Sequence, residues 1–396
     1  MNLDESHSRY LDAAATALLR PEARAAMLSA LDAGQANPSS VHQAGYRAQQ
    51  ALDAARAAIA KALGARTDEV VLTSGGTEAN NLAVIGLALA DPRGRHIVTT
   101  PIEHPSVLES CRFLQRLHGF ELSLVPVDAE GRVDPADVAA ALREDTTLLT
   151  VGLANAEVGT VQPLPEIAAH ARALGVRVHT DAVQAAASLP VSFASDGGSG
   201  ADRSPAWPGS AVDAMSVASH KFGGPQGAGA LLVRARLPLE PLLHGGGQES
   251  GRRSGTENVV AAVGFAAAAE STAAEIGTRA LALVESRDRL VERVLAEVPG
   301  ARLTGHPSER LPGHASFVIA SASGESLLVA LDAAGFAVSS GSACAAGRDE
   351  ASPTLLAMGF SAELAQTAIR FTLASPLDEG AIDRIVAVLR SEVRVR

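Results

Sequence analysis

Short runs of apolar β-formers alternate with alanine-rich stretches and glycine turns from Glu69 to Val233, and this alternation leaves the chain few ways to fold. Strands are expected over 69–73, 96–100, 121–125, 147–153, 176–180, 212–218 and 228–233, with helices between most of them. A strand followed by a helix and another strand builds a mostly parallel sheet covered on both faces, an α/β fold. The ligand site of such a sheet lies at the carboxyl ends of its strands.

Several of those expected strand ends carry chemistry. Ser74-Gly75-Gly76-Thr77 turns the first strand into a helix over 78–89, a geometry that offers free N–H groups to an anion, with the Thr77 hydroxyl beside them. By itself such a turn is more often just an ordinary tight turn. His104 follows the strand over 96–100, where an imidazole can stack on a ring and move protons. Asp181 ends the run V-R-V-H-T, and Gln184 stands one turn later. A carboxylate there keeps a pyridine nitrogen protonated, although an aspartate in that position also serves as a helix N-cap. The strand over 212–218 delivers Ser219, His220 and Lys221 into a turn held open by Gly223, Gly224 and Pro225. A lysine among apolar residues and glycines is a candidate Schiff-base amine, because desolvation favours the neutral nucleophile; a lone lysine more often snorkels to solvent. Together these positions meet the needs of an aldehyde cofactor that carries a phosphate and a pyridine ring.

At 396 residues the chain exceeds the roughly 250 to 300 at which single cores stop growing, so more than one domain is expected. An N-terminal arm (1–20) precedes a large domain over 21–257, in which 193–211 reads as a flexible Gly/Ser/Pro-rich insertion. A helix from about 258 to 298 leads into a small α+β domain: strand 315–320, helix 325–334, short strand 337–339, a loop holding Cys344, a helix, a strand ending near Phe371 and a last helix from Asp378. That domain spans 258–396 and takes in the arm. With aromatics at 3%, the core must be mostly aliphatic.

A net charge of -11 argues against nucleic acid or an anionic membrane as the main partner. The two cysteines, Cys111 and Cys344, are too few for a disulfide framework or a four-thiolate site, and no His/Glu spacing suggests a metal. No signal-type apolar run begins the chain, and no window of about 18 uninterrupted apolar residues follows. A cytoplasmic protein without a bound metal is expected.

The motifs Y-L-D-A-A-A-T at Tyr10, T-S-G-G-T-E-A-N-N at Thr73, E-H at Glu103, D-A-V-Q at Asp181, S-H-K-F-G-G-P at Ser219, H-G-G-G-Q-E at His244, R-S-G-T at Arg253, S-S-G-S-A-C at Ser339 and I-R-F-T-L at Ile369 run in one order over nearly the whole chain. In that set the chain resembles the class-V aminotransferase group of pyridoxal-phosphate enzymes, and within it the cysteine desulfurases that serve iron–sulfur cluster and thiocofactor assembly. The resemblance implies the PLP-dependent transferase fold type I, with a large domain around a mostly parallel seven-stranded sheet and a small α+β domain. It also implies that Lys221 holds pyridoxal 5'-phosphate, Gly76, Thr77 and His220 bind its phosphate, His104 stacks on the ring, Asp181 pairs with the ring nitrogen and Gln184 reaches the ring oxygen. Thr256 resembles a residue that reaches the phosphate from a partner subunit, which implies a homodimer. Arg370 looks like the clamp for the carboxylate of L-cysteine. Cys344 looks like the thiol that takes the sulfur as a persulfide and leaves alanine, with transient metal contact in cluster transfer and a long loop, Gly341 to about Pro353, that passes sulfur to an acceptor or scaffold protein.

The chain departs from the family's pattern at two places. It reads Asn155-Ala156-Glu157 where Asn-Asn-Glu is usual, so Asn155 is expected to serve both cofactor and substrate. It has Ala218 where a serine is common, which leaves Ser219 to offer a hydroxyl from a shifted position. A selenocysteine lyase, another class-V transferase, or a catalytically weakened scaffold paralogue remain alternatives to a desulfurase.

Overall fold

The computed structural model describes residues 9–34, 36–194, 208–340 and 351–393. Proline starts the first helix, α1 (Pro21–Asp32), where its missing N–H costs nothing. The His42 ring caps the second, α2 (Gln43–Ala62), by accepting from Gly45 N at 3.2 Å, and Gly64, at φ +63°, turns the chain out of it.

The alternation then runs β1 (Val70–Thr73), α3 (Gly76–Ala90), β2 (His96–Thr99), α4 (Pro105–His118), β3 (Glu121–Leu124), α5 (Pro135–Ala141), β4 (Thr146–Thr150), α6 (Leu164–Ala173), β5 (Arg177–Asp181), β6 (Ala214–Ala218) and β7 (Gly229–Val233). These strands form a seven-stranded sheet in the order β1-β7-β6-β5-β4-β2-β3. Strand β7 is antiparallel to both neighbours and the remaining pairs are parallel, so β1, β6, β5, β4 and β2 all end at one edge. Strands β2, β4, β6 and β7 are buried at every residue, as strands covered on both faces must be.

One apolar cluster fills the face under α1, α2 and α6, and another fills the face under α3 and α4. The long helix α7 (Val259–Glu297) joins two cores: Ala262, Phe265 and Ala269 belong to the first cluster, while Leu283, Leu290 and Val294 enter a separate one. By length and composition α7 is apolar enough to cross a membrane, yet its N-terminal half lies against α1 and α2.

Beyond it come β8 (Ala301–Leu303), β9 (His314–Ile319), α8 (Gly324–Ala333), α9 (Pro353–Ala357), α10 (Ala362–Ala365), β10 (Ala368–Thr372) and α11 (Glu379–Glu392). Strands β10, β9 and β8 make a three-stranded antiparallel sheet whose core holds Phe317, Phe371, Phe336 and, from the N-terminal arm, Leu11.

The expected α/β architecture is present, with local differences. The strand expected over 147–153 is Thr146–Thr150, although pairing continues loosely as Val151 N bonds His179 O and Leu153 N bonds Asp181 O. Among the described residues, 337–339 form single bridges rather than a strand, Tyr10 with Ala337 and Ser339 with Arg370. Strand β8 is too short for its pattern to announce it. Of the expected insertion, 195–207 lie outside the described residues, but its two ends meet where Ser192 bridges Pro208. The Arg234 guanidinium lies 3.7 Å over the Phe193 ring and donates to Phe193 O and Gly209 O, which fastens both ends together.

Candidate active site

The Ser74-Gly75-Gly76 turn at the end of β1 is shaped by close approach. A Cβ on Gly229 would stand 2.7 Å from Gly75 Cα, and one on Gly76 would stand 2.7 Å from Val183 Cγ2. Gly75, at φ +150°, is the N-cap of α3 and brings no side chain to its first amides, while a Cβ there would meet nothing within 4 Å. The turn therefore presents backbone N–H groups to open space, with Thr77 exposed beside them. Glu78 accepts from Ser74 N at 2.7 Å and from Arg253 Nε at 2.8 Å, which ties the turn to the loop that carries exposed Thr256.

At the end of β5, Asp181 is 9% exposed. Its Oδ1 accepts from Val183 N at 2.9 Å and its Oδ2 from Asn80 Nδ2 at 2.7 Å. At the end of β2, the chain turns through Glu103 and His104 into Pro105, the first residue of α4. His104 caps that helix with Nδ1, which accepts from Ser106 N at 3.1 Å, and the residue as a whole is exposed. Glu103 is buried, accepts from Thr100 Oγ1 at 2.7 Å and Gly152 N at 2.8 Å, and burial pushes its pKa up to about 7.

After β6, Lys221 Nζ donates to Ala15 O at 2.8 Å and to Ala14 O, and Gln184 Nε2 donates to Ala14 O at 3.1 Å. The N-terminal arm thus crosses the floor of the site. His220 Nδ1 stands 3.1 Å from Thr16 Oγ1; burial, helped by the Lys221 charge, drops its pKa to about 4. A cavity of about 410 Å³ opens beside Lys221 and Gln184, walled by the arm and by Arg20, Glu275 and Arg279. Asp181, His104 and Thr77 are not part of its wall, so it adjoins the constellation rather than containing it.

Arg370, on β10, is 2% exposed and reaches across to Ala156 O at 3.0 Å and Asp12 Oδ1 at 2.7 Å. The adjoining Glu157 accepts from Ser352 Oγ and, at 3.0 Å, from Thr354 Oγ1; burial raises its pKa.

Two expectations change. Ser219 is completely buried, and a Cβ on Gly224 would stand 2.3 Å from its hydroxyl, whereas Ala218 is the residue whose Cβ lies by Gly76. The Ser219 hydroxyl therefore turns away from the α3 amides. Asn155 spends its oxygen on Glu157 N and Val158 N and one amide hydrogen on Ile102 O, so it shapes the loop first. Cys344 lies outside the described residues. The structure adds Asp12, Asn80, Ser106, Glu103 and Glu157, each of which lies inside or beside a quoted motif and gave no signal except that adjacency.

Open glycine-flanked amides, a carboxylate held at a strand end, an exposed imidazole and a primary amine form a donor set that fits a phosphate-bearing pyridine aldehyde. Among the described residues, no group of three or more His, Cys, Asp and Glu side chains could hold a metal ion.

The family model described as aminotransferase class-V matches residues 9–385. The chain belongs to the class-V aminotransferase family. Within it, the chain is 43% identical to a cysteine desulfurase IscS of Dictyoglomus turgidum, over 92% of this chain and 89% of that protein. It is 41% identical to an IscS-like cysteine desulfurase of Mycobacterium tuberculosis, over 97% and 96% of the two chains. Among solved structures, a NifS-like protein superposes with a TM-score of 0.85 at 32% identity, covering 96% of this chain and 98% of the other. SspA in complex with cysteine superposes with a TM-score of 0.77 at 29% identity, covering 93% and 100%. These neighbours share the α/β fold described above.

Proposed function

We propose that this class-V protein is a pyridoxal-phosphate-dependent L-cysteine desulfurase. The observation that carries the reading is the convergence of the Gly76–Thr77 turn, Asp181, His104 and Lys221 at the carboxyl edge of one sheet, in a chain that is 43% identical over 365 residues to a cysteine desulfurase. Bound to Lys221, the cofactor would act as an electron sink for the substrate carbanion. The amides of Gly76 and Thr77, with His220 and the Thr256 of a partner subunit, would hold its phosphate. Asp181 would keep the ring nitrogen protonated, Gln184 would hold the ring oxygen, and Asn155 would use its remaining amide hydrogen near the substrate.

Lys221 takes the α proton of cysteine on this reading, and Arg370 holds the carboxylate through a planar fork suited to it. The C–S bond then breaks, the sulfur joins the Cys344 thiolate as a persulfide, and protons return to the carbon skeleton, which leaves as alanine. The balance needs no outside oxidant. The persulfide would pass to a sulfur-accepting or iron–sulfur scaffold protein in the cytoplasm. We further take residues 21–257 as the large domain and 258–396, joined by the arm 1–20, as the small one; the burial of Leu11 with Phe317 and Phe371 supports that grouping.

Purified protein mixed with pyridoxal 5'-phosphate should gain a visible absorption band, and adding L-cysteine should release alanine. Replacement Lys221→Ala should abolish both. A protein that stays colourless in excess cofactor would reject the proposal and favour a scaffold without catalysis.

A further inference from the structure

Asn80, on α3 and 1% exposed, donates both of its amide hydrogens, to Asp181 Oδ2 at 2.7 Å and to Ser106 Oγ at 2.9 Å. The orientation of that amide is fixed, because an ionised carboxylate only accepts. In making both bonds Asn80 leaves its own Oδ1 buried without a partner among the described residues, a cost that stability alone gives no reason to carry. Ser106 Oγ, having accepted from Asn80, has one hydrogen to give and stands 2.7 Å from His104 Nδ1. Ser106 N–H points at the same nitrogen from 3.1 Å, and a backbone amide can only donate. Nδ1 of His104 is therefore an acceptor twice over, and the neutral ring carries its proton on Nε2.

We propose that Asn80 and Ser106 are positioning residues that hold His104 in the Nε2–H tautomer and join the orientation of its ring to that of the Asp181 carboxylate. The proposal deepens the desulfurase reading and rests on it for one consequence. The ring's only basic nitrogen faces the α4 backbone, so His104 acts by stacking and by donating from Nε2, and Lys221 is left as the group that takes the α proton. One chain of hydrogen bonds thus runs from Asp181 through Asn80 and Ser106 to His104, and its two end residues would meet the nitrogen and the face of a bound pyridine ring.

The test uses the full-length protein labelled with ¹⁵N-histidine and recorded by NMR at mildly alkaline pH without cofactor or cysteine, with the His104 signals assigned by their loss in His104→Gln. The wild type should show His104 Nδ1 unprotonated and Nε2 protonated. Ser106→Ala should raise the Nδ1–H population at least tenfold. Asn80→Ala, which lets the hydroxyl turn round, should move it in the same direction, and Ser106→Thr should restore the wild-type signal. A proton on Nδ1 in the wild type overturns the proposal, as does a tautomer ratio that neither Ser106→Ala nor Asn80→Ala changes. Because no cofactor is present, the spectrum decides the tautomer even if the protein proves not to release alanine from cysteine.

Discussion

The Arg370 guanidinium is clasped by a carboxylate of the N-terminal arm: Nη2 donates to Asp12 Oδ1 at 2.7 Å while Nη1 donates to Ala156 O at 3.0 Å. The ion pair is nearly dry on the arginine side, where 2% of the side chain is exposed against 21% for Asp12. Breaking a buried ion pair by removing one partner is costly, because the remaining charge loses part of what offsets its burial. Asp12→Ala should therefore lower stability by about 3 kcal/mol, read as a drop in the urea midpoint. Arg370→Lys keeps the charge but loses the fork, so KM for cysteine should rise about tenfold or more while the cofactor band stays.

Glu249 makes a second clasp. It receives both Arg56 Nη1 and Nη2 at 2.6 Å and the edge-strand amide of Leu72 at 2.8 Å, with 1% of its side chain exposed. It does so from φ +50°, a strained backbone for a residue other than glycine. Glu249→Ala should cost about 3 to 5 kcal/mol in chemical denaturation, and Glu249→Gln should cost less because it still accepts from Leu72.

The placement of the candidate residues was largely legible in the sequence, since Gly76 and Lys221 follow and Asp181 ends a strand whose apolar run is plain, and β-strand ends in a parallel sheet share one edge. What the sequence hid was contact at long range. Asp12 and Arg370 are 358 positions apart and meet only because the arm pairs with β10. Ser219 looked available from its hydroxyl type, but its direction is set by packing against Gly224, which no local pattern records.

Stability should fall in acid through His179. Burial between Thr150 Oγ1 and Ser216 Oγ drops its pKa to about 3, below the usual value of 6.5. The unfolded chain therefore takes up a proton between about pH 6.5 and 3 that the folded chain refuses, so folding free energy is lost as pH falls through that window, at up to about 1.4 kcal/mol per pH unit. Denaturation midpoints of His179→Gln against wild type should converge as pH falls through that range.

Glu157 holds Ser352, whose hydroxyl also caps α9, and Thr354. Those residues lead directly on from the stretch that contains Cys344. Glu157→Ala should lower kcat for alanine release about tenfold with little change in cofactor affinity, and Glu157→Gln, which still accepts hydrogen bonds, should recover part of it. Equal rates in the two variants would separate Glu157 from sulfur transfer.

The most direct measurement is alanine and protein-bound sulfur counted together in wild type and Cys344→Ala, each loaded with pyridoxal 5'-phosphate and given L-cysteine. Wild type should release alanine in step with persulfide sulfur, and Cys344→Ala should keep the visible band yet form neither product. Undiminished alanine from Cys344→Ala would contradict the account.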